Sequence, residues 1–392
     1  MRYPVTGTPS AIEKREARNA MKVIGAEIRR LRLPLRMEFK HAGAVTRVAE
    51  NVVLKITLDS GITGYGECVP KKHVTNETAE TVVRSLQEYL CPALRGQNFG
   101  SLAEVKAFLE CCSLQGPARC AFELSLIDAA TRHIGESAHA LIGPERRSRV
   151  QYTVVVPAVS LKRLKEIAMA VRLFRLQAVK IKVGTSDEDV VRVELFRRLV
   201  GNSVDIRVDA NGAWDPETAL ARICALQRFG ISSVEEPTRP RDLDGLSYVA
   251  HRSPVPICVD ESLVTLSDAE RLMDRQACHI FNLRLSKCGG LLNTMRLAKL
   301  AHSNRIQYQI GCHVGETGVL SAAGRRLLMS LDDALHAEGS YSTLLLKDDI
   351  TEPAVRFGFG GIGRTLRDPG LGVSVHPGAL SKFSVDRTEL AF

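Results

Sequence analysis

Apolar and polar residues alternate along the first part of the chain, which predicts an antiparallel sheet followed by helices. The alternation runs through KVIGAEIRRLRL and ENVVLKITLDSGITGYGEC, and Asp59-Ser60-Gly61 has the composition of a hairpin turn. Helical spacing of apolar residues follows around 77–91, 101–113 and 117–134. We therefore predict an α+β domain over residues 22–148, preceded by a polar N-terminal extension over residues 1–21.

After Val150 the pattern changes to eight short β-branched runs that alternate with helical segments. The runs are QYTVVV, AVKIKVG, VDIRVDA, ISSVEEP, VPICVDE, IFNLRLS, IQYQIG and ALHAEG, and the helical segments are 160–175, 187–200, 216–229, 267–276, 290–304 and 317–331. This count predicts an α/β fold, a (β/α)₈ TIM barrel over residues 149–355. A doubly wound open sheet is the alternative, but no G-x-G-x-x-G motif follows an early strand. The extended tail, residues 356–392, is expected to return to the first domain.

Composition and charge limit the classes of protein to which this chain could belong. The chain is 45% apolar and 25% charged, as in ordinary globular proteins, and no apolar stretch approaches the ~18 residues that span a membrane. The net charge of +9 admits an anionic partner, but 5% aromatic residues and no run of five like charges argue against nucleic acid. The ten cysteines contain no Cys-x-x-Cys pair, which predicts free thiols in a reducing cytoplasm.

Acidic residues end three consecutive predicted strands of the barrel, where barrel enzymes carry their catalytic groups. Asp209, Glu235 and Asp260 are each separated by one β/α unit. Neighbouring strands lie ~4.8 Å apart, so carboxylates at one height could share a hard cation, for which Mg²⁺ is suited. A single such residue could equally cap a helix. Three in register favour a metal site.

Lys180 and Lys182 stand two residues apart on the predicted second strand, so their side chains should share the interior face of the barrel. Two buried lysines repel each other, which is expected to lower the pKa of at least one and provide a base. The alternative is a solvated edge strand with a charged face.

Together these motifs resemble the enolase superfamily, specifically its muconate-lactonizing-enzyme-like subgroup within the mandelate racemase/muconate lactonizing enzyme family. The matching segments are KIK at 180–182, VDANGAW at 208–214, EEP at 235–237, VDES at 259–262, SKCGG at 286–290, GYGEC at 64–68 and PGLGV at 369–373. The resemblance implies a modified enolase barrel with a capping domain, and a homo-oligomer.

The resemblance also implies a chemistry. Mg²⁺ would be bound by Asp209, Glu235 and Asp260, and a proton alpha to a carboxylate would be removed through an enediolate. Lys182 would be the general base, and Lys180 would tune it and touch the substrate carboxylate.

Arg284 departs from the subgroup, in which a second lysine usually occupies this position. Arginine is a poor base, since its pKa exceeds ~12, but it clamps carboxylates well. We therefore expect one-base chemistry, a lyase or cycloisomerase similar to o-succinylbenzoate synthase or muconate cycloisomerase. A racemase or epimerase of an amino-acid derivative or dipeptide stays open, as does a non-catalytic anion-binding barrel. Lys287, at an odd offset from Arg284, is expected on the other side of the strand.

Contacts to a small carboxylate substrate are expected from the barrel mouth and from two capping loops, residues 35–48 and 69–74. The candidates are Asn211, Glu316, Glu338, Arg36, Lys40 and His41. Both loops are basic, which predicts a second anionic group on the substrate unless these side chains face solvent. Their basic residues are Arg36, Lys40, His41, Arg47, Lys71, Lys72 and His73. The Asp-x-Asp motif that dipeptide epimerases carry near strand eight is absent, and Glu338 stands there instead.

Overall fold

The computed structural model describes residues 20–41, 44–186 and 188–392, without the side chains of 39–45. The predicted extension before residue 20 lies outside this description. Within it, no helix is both long and apolar enough to cross a bilayer.

The elements are numbered in chain order. The strands are β1 (Met21–His41), β2 (Ala44–Leu58), β3 (Thr63–Cys68), β4 (Asn98–Phe99), β5 (Arg149–Gln151), β6 (Val154–Val156), β7 (Ala178–Lys182), β8 (Asp205–Asp209), β9 (Ile231–Glu235), β10 (Ile257–Val259), β11 (Ile280–Arg284), β12 (Gln307–Gly311), β13 (Thr351–Glu352), β14 (Ile362–Arg364), β15 (Ser374–Val375) and β16 (Ser384–Ala391). The helices are α1 (Lys72–Thr75), α2 (Ala79–Ser85, extended by a π turn at Leu86–Leu90), α3 (Leu102–Glu110), α4 (Gly116–His133), α5 (His139–Ile142), α6 (Leu161–Leu173), α7 (Asp189–Val200), α8 (Pro216–Gln227), α9 (Leu243–Arg252), α10 (Leu266–Asp274), α11 (Leu285–Cys288), α12 (Leu291–Ser303), α13 (Gly318–Ser330), α14 (Ser342–Leu345) and α15 (Pro377–Phe383); short 3₁₀ turns lie at Pro92–Leu94 and Phe359–Gly361.

The capping domain is an antiparallel sheet in the order β16-β1-β2-β3, covered by α4. The predicted hairpin turn joins β2 to β3, with Gly61 at φ 81° and its N–H donating to the Leu58 carbonyl. The backbone of α4 presses directly on β3, because a Cβ at Gly66 would lie 1.9 Å from the Ala121 carbonyl oxygen. The GYGEC segment therefore has glycine where sheet and helix meet.

The barrel is a parallel sheet in the order β12-β11-β10-β9-β8-β7-β6. It is closed by residues 336–338, where Ala337 bridges both Ile310 and Tyr152. The predicted eighth strand is thus reduced to one bridging residue, and the predicted barrel with an α+β capping domain is confirmed. On β7 the outward Val179 and Ile181 are buried, while the alternate lysines point inward.

The C-terminal segment returns to the capping domain. The C-terminal strand β16 pairs with β1 from Gly25–Ala391 to Leu31–Ser384, so the tail lies at the edge of the capping sheet. The domain boundaries near 148 and 355 stay a prediction.

Helix α9 was not predicted, because Gly245 and Ser247 dilute its helical pattern. Asp242 begins the helix by accepting the Gly245 N–H at 2.9 Å.

Candidate active site

Polar side chains form one hydrogen-bonded network inside the barrel, at the C-terminal ends of its strands. The strand register pairs Lys182 with Asp209 and Asp209 with Glu235, and Asp260 directly follows β10. All three carboxylates are buried. The structure thus brings the predicted acidic residues to one edge of the sheet, because parallel strands end at the same side.

The two lysines of β7 occupy different environments on the same interior face. Lys180 Nζ donates to Glu235 Oε1 at 2.9 Å and to Glu338 Oε2 at 2.8 Å. Lys182 Nζ donates to Asp209 Oδ2 and to Asn211 Oδ1, both at 2.6 Å. The Lys180 side chain is 2% exposed and that of Lys182 is 23% exposed. Lys182 is therefore the more accessible of the two lysines.

The pKa of Lys180 is raised, so this lysine is not a base with a lowered pKa. Burial alone would lower its pKa, but the charges of Glu235, Glu338 and Asp209 outweigh burial and hold it well above its ordinary value. Lys180 is therefore a fixed positive charge beneath the carboxylates.

Arg284 and Lys287 converge on Asp260 from two directions. The Arg284 guanidinium bonds Asp260 Oδ2, and Lys287 Nζ donates to Asp260 Oδ1 at 2.9 Å. Lys287 also donates to the backbone carbonyls of Asp260 and Asn282 at 2.5 and 2.9 Å, so its three N–H groups are used. The expectation that Lys287 points to the other side of the strand is wrong, because the chain leaves β11 and coils into α11 before residue 287.

Three members of the network were not identified from the sequence. Asn282 Nδ2 and Gln309 Nε2 donate to the two oxygens of Glu235 at 3.0 and 2.9 Å, and Arg207 donates to Glu338 Oε1 at 3.2 Å. Arg207 stands two residues before Asp209 and Asn282 two before Arg284, so the two-residue period of a strand places each on the inward face. That period was the available signal.

The donor chemistry of this cluster fits a hard divalent cation. Asp209, Glu235 and Asp260 offer carboxylate oxygens, and the buried Glu261 keeps Oε2 without a hydrogen-bond partner among the described residues. Nevertheless, within the described part of the chain no three acidic, histidine or cysteine side chains are grouped to hold a metal as they stand. Each of the three carboxylates instead bonds a lysine or arginine. A metal ion would have to compete with Lys182 and Arg284 for these oxygens.

The two predicted acids at the last strands differ in charge. Glu338 is held between Lys180 and Arg207, and burial is outweighed by these two cations, so its pKa is lowered. Glu316 accepts the His313 N–H at 2.7 Å, and burial raises its pKa to about 8. Near pH 7 we therefore expect an ionised, fully engaged Glu338 and a neutral Glu316.

The basic residues of the two capping loops lie in different surroundings. Arg36 is exposed and donates to the Lys347 carbonyl at 3.0 Å. The side chains of Lys40 and His41 lie outside the described residues. Lys71 is partly buried, and the charges of Arg284 and Glu316 act on it. Among the described side chains of these loops, the charges of Lys71 and His73 both act on His313 in the loop after β12.

The loop after β12, which carries His313 and Glu316, is held by the capping domain through Glu67. The buried Glu67 carboxylate accepts the N–H groups of Thr317 and Leu320 at 2.9 and 3.0 Å, at the N-terminus of α13. It also accepts the Thr317 hydroxyl at 2.6 Å. This contact joins the two domains where the sequence showed only a GYGEC motif.

Replacement of Glu67 by glutamine should change how stability depends on pH. Burial raises the pKa of Glu67 from 4.5 to about 7, so between these values the folded chain binds a proton that the unfolded chain has lost. The free energy of unfolding of the wild type should therefore fall, relative to Glu67→Gln, by up to about 3 kcal/mol as pH rises from 5 to 8. Urea unfolding measures this difference. The exposed Glu88→Gln should show no such trend, and a flat Glu67→Gln difference would contradict the assignment.

Two family models match this chain, one in each domain. Residues 21–143 match the family model for the mandelate racemase / muconate lactonizing enzyme N-terminal domain, and residues 163–379 match the enolase C-terminal domain-like model. N-succinyl-L-Arg/Lys racemase of Bacillus cereus is 28% identical over 93% of this chain and 98% of its own; its crystal structure superposes with a TM-score of 0.87 over 94% and 100% of the two chains.

Two further relatives differ in reaction. The dipeptide epimerase from Cytophaga hutchinsonii, solved with Mg and the dipeptide D-Ala-L-Val, is 26% identical with a TM-score of 0.84, covering 94% of this chain and 100% of its own. Muconate cycloisomerase 1 of Rhodococcus opacus is 26% identical over 93% of this chain and 99% of its own. The similarity thus extends along both domains but covers racemases, epimerases and a cycloisomerase.

Proposed function

The chain belongs to the mandelate racemase / muconate lactonizing enzyme family of the enolase superfamily, and on that premise we propose that it removes the proton alpha to a carboxylate in a Mg²⁺-dependent reaction. One observation carries the proposal. Lys182 is the partly exposed amine of the network, and it lies beside carboxylates that end three consecutive strands. A base and a cation site for the substrate carboxylate are thus adjacent.

Each residue of the network has a separate role in the proposed reaction. Lys182 takes the proton from the substrate. Asp209, Glu235 and Asp260 would hold Mg²⁺, which supplies positive charge against the developing enediolate. Lys180 remains charged because three carboxylates stabilise its ammonium, and Asn211 orients Lys182 through its amide oxygen.

The cations around Asp260 support chemistry on one face of the substrate. Arg284 is bonded to Asp260, and all three Lys287 N–H groups are occupied, so neither is a base as the structure stands. We therefore favour a lyase or cycloisomerase, in which Lys182 serves both proton transfers on one side. The experiment is α-proton exchange in D₂O with Mg²⁺ over N-acyl amino acids, dipeptides, hydroxy acids and muconate-like diacids. Exchange on one face, with loss of water or cyclisation, is the expected result.

The second candidate is a racemase or epimerase, which the reactions of two of the relatives favour. It requires a base on the opposite face, for which the loop after β12 offers the neutral imidazole of His313. Exchange into both enantiomers by the wild type would establish it. Mg²⁺ binding with no exchange for any acid would instead favour an anion-binding barrel.

Replacement of Arg284 by lysine should separate the two candidates. If the wild type exchanges on one face, Arg284→Lys should add exchange on the other at a rate at least ~10²-fold above the wild type, since a lysine can act as a base where arginine cannot. Proton NMR of each enantiomer in D₂O measures both rates. The exposed Arg305→Lys is the matched control. A second-face rate that Arg284→Lys leaves unchanged would count against a position facing the substrate.

A further inference from the structure

The second capping loop, residues 69–74, is attached to the barrel at its first residue. The Ser286 hydroxyl accepts the Val69 N–H at 2.9 Å and donates to the Val69 carbonyl at 3.2 Å. Both residues are fully buried, so water does not compete for these two bonds. Ser286 lies in α11 beside Lys287, whose ammonium bonds Asp260. The loop therefore begins next to a cation of the proposed catalytic network.

The last residue of this loop is attached to the end of a different strand. Arg241, in the segment after β9, donates from Nη2 to the Val74 carbonyl at 3.3 Å. The Arg241 backbone N–H donates to Ser262 Oγ at 2.7 Å, which also joins the arginine to the segment after β10. Its φ is 68°, a value that residues other than glycine rarely adopt. The loop therefore ends on an arginine whose backbone is held by the segment that follows Asp260.

Both attachments of the loop are connected to Asp260. The Glu236 carboxylate accepts the N–H groups of Asp260 and Ser262 at 2.7 and 3.3 Å, and it also accepts the Ser262 hydroxyl. On the other side, Lys287 Nζ donates to Asp260 Oδ1 at 2.9 Å. The loop, its two attachments and the end of β10 thus form one closed ring of contacts. This ring places the loop at the C-terminal end of the barrel, beside Asp260.

Between its two attachments the loop forms a single helical turn, α1. The N–H groups of Val74 and Thr75 donate to the Lys71 carbonyl at 2.8 and 3.0 Å. Isolated helices shorter than ~12 residues are marginal in water, so one turn does not hold this segment in place by itself. Its position depends on the buried side chains of Val69 and Val74 and on the two attachments to the barrel.

We infer that Ser286 and Arg241 are positioning residues, which hold the loop of residues 69–74 in place on the capping-domain side of the proposed site. The consequence for catalysis rests on the proposed function. A substrate that binds beside Asp260 meets a loop that is already ordered. Without the two attachments the loop must be ordered as the substrate binds, and this cost weakens the apparent affinity. Both residues act through the loop, so the rate from the bound complex should change little.

Amide hydrogen exchange of the full chain, measured by mass spectrometry, tests whether Ser286 holds the loop. In Ser286→Ala the Val69 amide should exchange at least about tenfold faster than in the wild type, because it loses a buried acceptor. Ser286→Thr keeps the hydroxyl and should restore slow exchange. The matched control is Ser330→Ala, which removes another buried serine hydroxyl that joins the two domains, through the Gly143 carbonyl at 3.1 Å. It should leave exchange of the loop unchanged.

The kinetics of α-proton exchange distinguish an effect on the loop from an effect on the cation site. With the acid that the wild type exchanges fastest, Ser286→Ala should raise KM by about tenfold or more and Arg241→Met should raise it severalfold. Both kcat and the Mg²⁺ affinity should stay within about threefold of the wild type. Arg172→Met should match the wild type, since Arg172 is an exposed arginine that donates to a backbone carbonyl elsewhere, that of Leu199 at 3.4 Å.

Arg241→Met decides the same measurements should Ser286→Ala fail to fold. The inference is overturned if the loop exchanges hydrogen at the wild-type rate in both variants, or if both keep the wild-type KM. Failure of the proposed function is distinct. In that case the wild type exchanges no α-proton with any acid, and amide hydrogen exchange alone decides whether Ser286 and Arg241 hold the loop.

Discussion

Replacement of Lys182 by alanine should lower the rate of α-proton exchange by ~10³-fold or more, with little change in stability. Removal of a positioned general base costs ~10²–10⁴-fold in rate. Without the Lys182 amine, the buried Asp209 carboxylate keeps Lys180 Nζ at 3.5 Å and still accepts the Asn211 N–H at 3.0 Å. Proton NMR in D₂O with the best substrate found measures the rate, and urea unfolding measures stability.

A matched variant separates the base from its charge. Lys182→Arg keeps a cation beside Asp209 but cannot give up its proton, so its exchange rate should fall nearly as far as that of Lys182→Ala. Added ethylamine should restore part of the Lys182→Ala rate, because a free amine can occupy the space left by the side chain. If Lys182→Arg keeps a rate within tenfold of wild type, Lys182 contributes charge rather than proton transfer, and the proposed role is lost.

Local periodicity was sufficient for the part of the site that one strand carries. Lys180 and Lys182 share a face because strand side chains alternate, and the three acidic residues align because each β/α unit returns the chain to the same edge. Both relations follow from regular spacings along the chain, of two residues within a strand and of one β/α unit between strands. They predict the barrel and the convergence of Asp209, Glu235 and Asp260 at one edge of its sheet.

Strand periodicity could not predict contacts that form only when the barrel closes. The pairing of Lys180 with Glu338 joins residues on β7 and near Ala337, and together with Glu235 and Asp209 it holds the pKa of Lys180 above its ordinary value. Lys287 was misplaced because a strand period was extended into α11. Glu67 caps α13 from another domain, and a sequence pattern carries no sign of a cap so distant.

Removal of Mg²⁺, or replacement of Asp260 by asparagine, should abolish measurable exchange. Asp260 is the carboxylate shared by Arg284 and Lys287, and asparagine there would remove this common counter-charge, leaving Arg284 with Glu235 at 3.7 Å. That excess positive charge opposes a divalent cation, so Mg²⁺ affinity should fall more than ~10²-fold, equal to about 3 kcal/mol. Calorimetric titration of Mg²⁺ into chelator-treated protein measures the affinity, and added Mg²⁺ should restore exchange in the wild type alone.

Because Asp260→Asn breaks buried ion pairs, its effect on Mg²⁺ binding must be separated from an effect on folding. Breaking a buried ion pair from one side destabilises by ~3–5 kcal/mol, so Asp260→Asn is compared with Asp209→Asn, in which the partly exposed Lys182 can turn to solvent. Both should lose Mg²⁺ binding, although Asp209→Asn should remain the more stable in urea. The exposed Asp274→Asn should match the wild type in both measurements. If both site variants stay folded and bind Mg²⁺ within threefold of wild type, the ion pairs of this network are structural and the cation site lies elsewhere.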